Sequence, residues 1–364
     1  MFFRSMLLVS TGVWAVACGL GTPAQQDGSS VQEAWKPHDE PLNLAPDYDR
    51  RLDSLPASAQ LAKAPWPDTY WPSYEGGISA RWASNDPQHF TYESPTREAL
   101  LTMSLEEKAQ LSPAEKFDIL KGDYSYSLVR SERMRTSPTK PSWEGLCHGW
   151  AAASMLYDEP APATVTNADG IEIPFGSADI KGLITYYQGQ VARPQSQFLG
   201  LRCNVAIDDY NDPRAREDDC KGVNAGAFHV VLANQIGLRN EGFVVDVTRD
   251  LEVWNHPVSG FQSLISPKAD ISPTAAPGTV REVMVETTMY YVVESMPQWS
   301  KLNAADYTSE RTYVYTLEID ASGAIIGGEW LQEDRPDFMW KQGRDAFSRG
   351  FEALEDLYRA SAGN

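Results

Sequence analysis

Trp143–Trp150 reads W-E-G-L-C-H-G-W, and the chain is organised around its Cys147. The small residues Ala151-Ala152-Ala153-Ser154 follow, a run suited to a helix packed closely against its neighbours. A cysteine in the first turn of such a helix lies at the positive end of the helix dipole, which favours thiolate. A buried structural cysteine is the alternative. The other three cysteines bear on that choice.

The chain has 364 residues and a formal charge of −19, with eleven Trp and sixteen Tyr. That length is enough for a substantial core. The acidic balance argues against nucleic acid, which requires a basic footprint. Met6–Ala17 is apolar, too short to span a bilayer comfortably, and ends in Ala15-Val16-Ala17-Cys18. This stretch resembles a bacterial lipoprotein signal with Cys18 as the lipidated residue, and secretory cleavage at the A-x-A site is the alternative. The expected localisation is therefore an exported lipoprotein of the cell envelope or outside the cell, touching the membrane through its N-terminal lipid only. Export implies an oxidising compartment. Cys203 and Cys220 flank a polar loop and form the natural disulfide pair, which leaves Cys147 as a free thiol.

Residues 1–17 are expected to be a signal peptide, 18–60 a tether, and 61–111 an aromatic-rich lead-in that is a candidate pro-segment. Residues 112–364 are the expected catalytic domain. Ser112-Pro113-Ala114-Glu115 reads as a capped helix start. Ser125–Met134 is compatible with extended or helical structure, extended being the preferred reading, while Ser177–Gly189 reads as a helix and Val165–Pro174 as a hairpin. The second half is strand-rich: Phe228–Ala233, Gly242–Val247, Arg281–Glu294, Arg311–Ile319 and Ala324–Trp330. Arg344–Ala360 reads as a terminal amphipathic helix.

A cysteine nucleophile needs a base and a group that orients the base. His229 lies in the apparent strand A-F-H-V-V-L-A, and Asp246 in the next one. With Asn234–Glu241 as the connecting loop the two are directly opposed, their Cβ atoms roughly 5 Å apart. Phe228, Val230, Leu232, Phe243, Val245 and Val247 then share the buried face. Cys147, His229 and Asp246 are the expected catalytic residues. Trp143 and Trp254 are the expected walls of a substrate channel. No metal spacing of the zinc type exists, and the sequence requires no cofactor. Asp208, Asp209, Asp212, Glu217, Asp218 and Asp219 offer oxygen ligands for Ca²⁺, but the spacing is not that of an EF-hand and a solvated loop is the preferred reading.

Val253–Phe261 reads V-W-N-H-P-V-S-G-F. It resembles the peptide by which plants recognise the elicitor-type transglutaminases of oomycete cell walls, with His256 where those have Gln and Ser259 where they have Arg. Ser112–Lys116, Cys147–Ala151, Phe228–Val231, Gly327–Trp330 and Pro336–Phe338 resemble the same family in the same order. The resemblance covers roughly Leu111 to Trp340. It implies an α+β fold with a papain/transglutaminase-like core, N-terminal helices packed on an antiparallel β-sheet. It implies protein-glutamine γ-glutamyltransferase activity on Gln side chains, with Lys side chains or polyamines as acceptors. The family's Cys, His and Asp map onto Cys147, His229 and Asp246. A cysteine peptidase on the same residues and a non-catalytic surface protein are the alternatives.

Replacing Cys203 and Cys220 together by Ser is expected to lower stability by about 3 kcal/mol in the chain-entropy view of a closed loop. Urea unfolding of the oxidised protein beside the double variant measures it.

Overall fold

A computed structural model describes residues 33–84, 89–207 and 212–362. Cys18 and the proposed signal lie outside the described residues, as do Asp208 and Asp209. The helices are α1 (Arg97–Thr102), α2 (Leu105–Ala109), α3 (Pro113–Leu120), α4 (Ser127–Arg135), α5 (Cys147–Leu156), α6 (Ser177–Tyr186), α7 (Ala225–Leu232) and α8 (Ala353–Ala362). The strands are β1 (Ser58–Gln60), β2 (Ala163–Thr166), β3 (Glu172–Phe175), β4 (Ser196–Gly200), β5 (Val244–Asp246), β6 (Asn255–Pro267), β7 (Arg281–Val292), β8 (Thr308–Ile319), β9 (Ile325–Gly327) and β10 (Phe338–Gln342).

The large sheet runs β4-β10-β5-β6-β7-β8-β9, with β1 also paired to β6, and all its pairs are antiparallel. β2 and β3 form the separate hairpin that the sequence predicts. The expected mixture of helices and antiparallel sheet is therefore observed.

α3 begins as its sequence dictates. Glu115 N donates to Ser112 Oγ (3.2 Å) and Ser112 N donates to Glu115 Oε2 (2.9 Å), a reciprocal capping box. Its Lys116 reaches Asp179 of α6 at 2.5 Å, with both side chains fully buried. Asp179 in turn accepts from Gly176 N (2.7 Å) and Trp82 Nε1 (2.8 Å). A buried pair of this kind is tolerable only with such extra hydrogen bonds. One apolar core joins α1, α3–α6 and α8 to Trp66 and Trp71. A second lies between α7 and the sheet, where Phe228 packs on Tyr313, Tyr315 and Trp330.

α5 is the seam between helices and sheet. Its Trp150 and Ala153 face the helical core, while Ala151 and Ala152 lie on Val244, Phe338 and Trp340. The close approach rests on Gly149, where a Cβ would collide with the Thr185 carbonyl oxygen of α6.

Four local expectations are corrected. Phe228–Ala233 is not a strand but most of helix α7, because Asn224 caps it: Asn224 Oδ1 accepts from Gly226 N (2.9 Å) and Ala227 N (3.2 Å). Ser125–Met134 is mostly helix α4, whose first-turn Leu128 N and Val129 N donate to the distant Asp118 carboxylate (2.9 and 3.1 Å). The C-terminal helix begins only at Ala353, since left-handed backbone at Arg349 (φ 56°) and Gly350 (φ 87°) breaks the run. Residues 33–60 are not a loose tether. Leu44, Ala45, Tyr48 and Leu52 are buried in the second core, and β1 extends the sheet. The 61–111 lead-in packs on the body through its aromatic residues, as expected: Trp66 Nε1 donates to Tyr157 O and Trp150 Nε1 to Trp66 O, both at 3.1 Å.

Gly149→Ala is expected to cost about 1–3 kcal/mol, since overpacking forces α5 and α6 apart. A lower urea midpoint with an unchanged m-value is the expected readout.

Candidate active site

Cys147 is the first residue of α5 and is 5% exposed. Its Sγ donates to Val253 O at 3.6 Å and accepts from Asn255 Nδ2 at 3.5 Å. The Asn255 amide cannot turn round, because its Oδ1 accepts from Trp340 Nε1 at 2.7 Å and an indole only donates. Thus β10 orients a residue of β6, and that residue presents its amide N–H to the sulfur.

Burial pushes the thiol above its ordinary range, and the Asn255 donors pull against it. The negative charges of Glu294 and Asp246 push the same way as burial. The helix N-terminus alone therefore does not set the ionisation expected from sequence. At rest the sulfur is protonated, with a donor in place for the thiolate.

Asp246 closes β5 directly across from Asn255. Its Oδ1 accepts from Trp254 N (3.3 Å) and Thr248 N (3.4 Å), while its Oδ2 is buried with no hydrogen-bond partner among the described residues. Burial, then the neighbouring Asp337, hold its carboxyl well above the ordinary value. Asp337 N donates to Asp246 O (3.0 Å), and Asp337 Oδ2 accepts from Cys203 N (2.8 Å). The Cys203–Cys220 disulfide is formed as predicted, so the strapped loop is tied to β5 through one residue. Glu294, just beyond β7, is pushed up to about 7 by burial.

Cys147 and Asp246 share this site, and His229 does not. Its expected opposition to Asp246 is corrected: the partner of Asp246 is Asn255, and His229 is buried in α7. His229 Nδ1 bonds Tyr315 Oη (2.8 Å), which continues to Thr287 Oγ1 (2.7 Å). Burial lowers its imidazole to about 4. His148 turns away to Gly189 O (3.3 Å). The imidazole on the same sheet segment is His256, beside Asn255. Its Nδ1 lies 3.2 Å from Val292 O and 3.9 Å from Glu294 Oε1, its ring is edge-on to Trp150, and burial lowers it to about 4.

Trp254 is half-buried and meets Tyr70 edge-on, ring centroids 5.5 Å apart. Leu146 N donates to Tyr70 O at 2.6 Å, so the lead-in lies along the approach to the sulfur. Trp143 is half-buried in the loop before α5. In the acidic loop the described Asp212 holds Arg214, and Asp218 holds Lys36 and Lys221. Those carboxylates already have cationic partners. Asn255, Trp340 and Glu294 were missed as site residues. Only Asn255 carried a signal, its place beside Trp254 in V-W-N-H.

The transglutaminase elicitor family model matches residues 119–348, a span that contains Cys147, Asp246, Asn255 and Trp340. The chain belongs to this family. Among solved structures it is similar to the GP42 transglutaminase from Phytophthora sojae, with a TM-score of 0.67 at 22% identity, over 91% of this chain and 99% of that one. At that identity the likeness is one of fold. No curated protein matches. Among the described residues no helix is long and apolar enough to cross a membrane.

Asn255→Asp replaces the amide donor with a third carboxylate beside the sulfur. It is expected to slow iodoacetamide labelling of Cys147 at pH 8 by tenfold or more, about one pKa unit or above. Rates at several pH values, read by intact mass, check this.

Proposed function

We propose that the chain is a protein-glutamine γ-glutamyltransferase with Cys147 as its nucleophile, Asp246 as its proton-transfer group and Asn255 as a positioning residue. The observation that carries this reading is the sulfur held at the start of α5 between a fixed amide donor and carboxyl groups of raised pKa.

In the first half-reaction Cys147 Sγ bonds to the γ-carbonyl carbon of a glutamine side chain. The S–H proton passes to Asp246 in its ionised form, which burial makes a stronger proton acceptor, and from there to the departing nitrogen, the C–N bond breaks, and ammonia leaves. In the second, a lysine or polyamine nitrogen attacks the thioester carbon, its proton passes back by way of Asp246, and the thiol is restored. A carboxyl whose pKa is raised by burial suits both directions of transfer. The Cys147 backbone N–H at the helix N-terminus is the donor for the developing oxyanion. Burial of the sulfur disfavours water as the acceptor and so disfavours deamidation. Trp143, Trp254 and Tyr70 form the walls of the acyl channel. We read the arrangement, a nucleophile on a helix start laid against antiparallel strands, as papain-like. The reading includes export with Cys18 as the lipidated residue, which fits the disulfide.

Incorporation of a fluorescent primary amine into a glutamine-bearing protein tests the assignment. Cys147→Ala is expected to abolish it, and Asp246→Asn to lower kcat/KM by roughly 10²–10⁴ with the fold intact. His229→Gln is expected to lower stability and leave turnover near the wild-type level below its melting temperature. Full turnover in Asp246→Asn, or loss confined to His229→Gln, would sink the assignment. Release of peptide fragments without amine incorporation would mark a cysteine peptidase instead.

A further inference from the structure

Two carboxyls flank the amide that serves the sulfur, and the acyl-transfer steps above use only one of them. Asp246 of β5 lies directly across from Asn255 of β6. On the other side of β6, Val258 pairs with Tyr291 of β7. Three residues further along β7, and three back in β6, the same register brings Glu294 level with Asn255. His256 Nδ1, 3.2 Å from Val292 O, holds the two chains together past the last ladder pair. Residues opposed in this way share a face, so Asp246, Asn255 and Glu294 stand in a row on the face that carries Cys147. Both carboxyls act electrostatically on the thiol.

The lead-in closes the same geometry from the other side. Asp68 O accepts from Ser295 N (3.0 Å), next to Glu294, and Tyr70 O accepts from Leu146 N (2.6 Å), next to Cys147. Asp68 and Tyr70 are two residues apart in the chain, so their carbonyls lie within roughly 7 Å of each other. Tyr70 also feels the charge of Glu294 and meets Trp254 edge-on, ring centroids 5.5 Å apart. Glu294 Oε1 is buried with no hydrogen-bond partner among the described residues. Such an atom in a native protein calls for an explanation. Its nearest basic group is His256 Nδ1 at 3.9 Å, and burial holds that imidazole at about 4, neutral at ordinary pH. Exposure separates the two carboxyls. Asp246 is 0% exposed, whereas the Glu294 side chain is 21% exposed and can be reached from solvent.

We propose that Glu294 is the acceptor site of the transfer: its Oε1 receives the primary ammonium of the incoming lysine or polyamine, beside the rings of Tyr70 and Trp254. The inference rests on the transferase reading and adds the group that recognises the second substrate. A carboxylate beside aromatic faces is a setting that attracts an ammonium ion. An ammonium has no lone pair and must lose a proton before it can attack. The ammonium passes that proton to Glu294 Oε1. The nitrogen lone pair then bonds to the thioester carbon, and the C–S bond breaks with its electron pair on sulfur. The surplus proton on nitrogen returns to sulfur by way of Asp246, and Glu294 releases its own to solvent through its exposed side. Burial favours the first transfer, because an ion pair taken out of water loses solvation and its neutral form does not. The same burial pushes Glu294 up to about 7, nearer to an amine than an ordinary carboxyl stands. Water carries no charge for Glu294 to hold, so the site selects amines over hydrolysis.

Transfer from a glutamine-bearing protein by the full chain, to dansylcadaverine or to hydroxylamine, tests this. At about pH 8 the first nucleophile is a cation and the second is uncharged. Glu294→Gln is expected to lower the ratio of kcat/KM for dansylcadaverine over that for hydroxylamine by roughly tenfold or more, mainly through the KM of the amine. In the wild-type enzyme pentyltrimethylammonium, which cannot be acylated, is expected to compete with dansylcadaverine far better than with hydroxylamine. That measurement decides the matter if Glu294→Gln fails to fold. An unchanged ratio in Glu294→Gln, or equal inhibition of both reactions by the quaternary ion, overturns the acceptor site alone. A wild-type enzyme that gives no product with either nucleophile overturns the transferase reading and the acceptor site with it.

Discussion

The amide of Asn255 connects three parts of the molecule that are distant in sequence. It accepts from Trp340 on β10, donates to Cys147 on α5, and lies across from Asp246 on β5. Because the indole only donates, the amide has one orientation, and the sulfur therefore faces a donor. That single bond makes the position of α5 on the sheet a chemical matter as well as a packing one. The close fit at Gly149 and the alanine face of α5 serve the same contact.

Protonation around the sulfur follows from burial. Desolvation lifts the thiol, Asp246, Asp337 and Glu294, and lowers His256 and His229. The two imidazoles are neutral in the fold. Their folded pKa lies below the unfolded value, so the unfolded chain binds the extra proton and stability falls as pH drops from about 6.5 toward 4. The buried carboxyls act in the opposite sense: their folded pKa lies above the unfolded value, so the unfolded chain releases its protons first and stability falls as pH rises from about 4 through the folded values of about 7 for Glu294 and about 8 for Asp337. Between about pH 4 and 6.5 the two sets therefore oppose one another.

The opposite end of the sheet carries a different problem. Glutamates face one another on β7 and β8, and the segment from Glu33 closes over them. The same segment then packs Leu44, Tyr48 and Leu52 against the sheet before β1 joins β6. Residues 33–60 thus belong to the core, although their composition resembles a linker. They contribute apolar side chains singly, without the helical or strand spacing that would have marked them.

Local chemistry determined a good deal by itself. The capping box at Ser112, the turn at Asn167–Gly170, the alternation in β7 and β8 and the cysteine arithmetic each follow from neighbours in the chain, so each was legible. The α+β class came with them, and of the expected site residues Cys147 and Asp246 lie near one another in the fold. His229 was misread because A-F-H-V-V-L-A is apolar on every side, and such a run has no face to reveal its period. Only the second core, closing round it, and the Asn224 cap decided for helix. The strand partner of Asp246, the Trp340 bond that orients Asn255 and the meeting of three glutamates join residues tens to hundreds of positions apart. No local pattern encodes such encounters, and they exist only once the strands have found their order in the sheet.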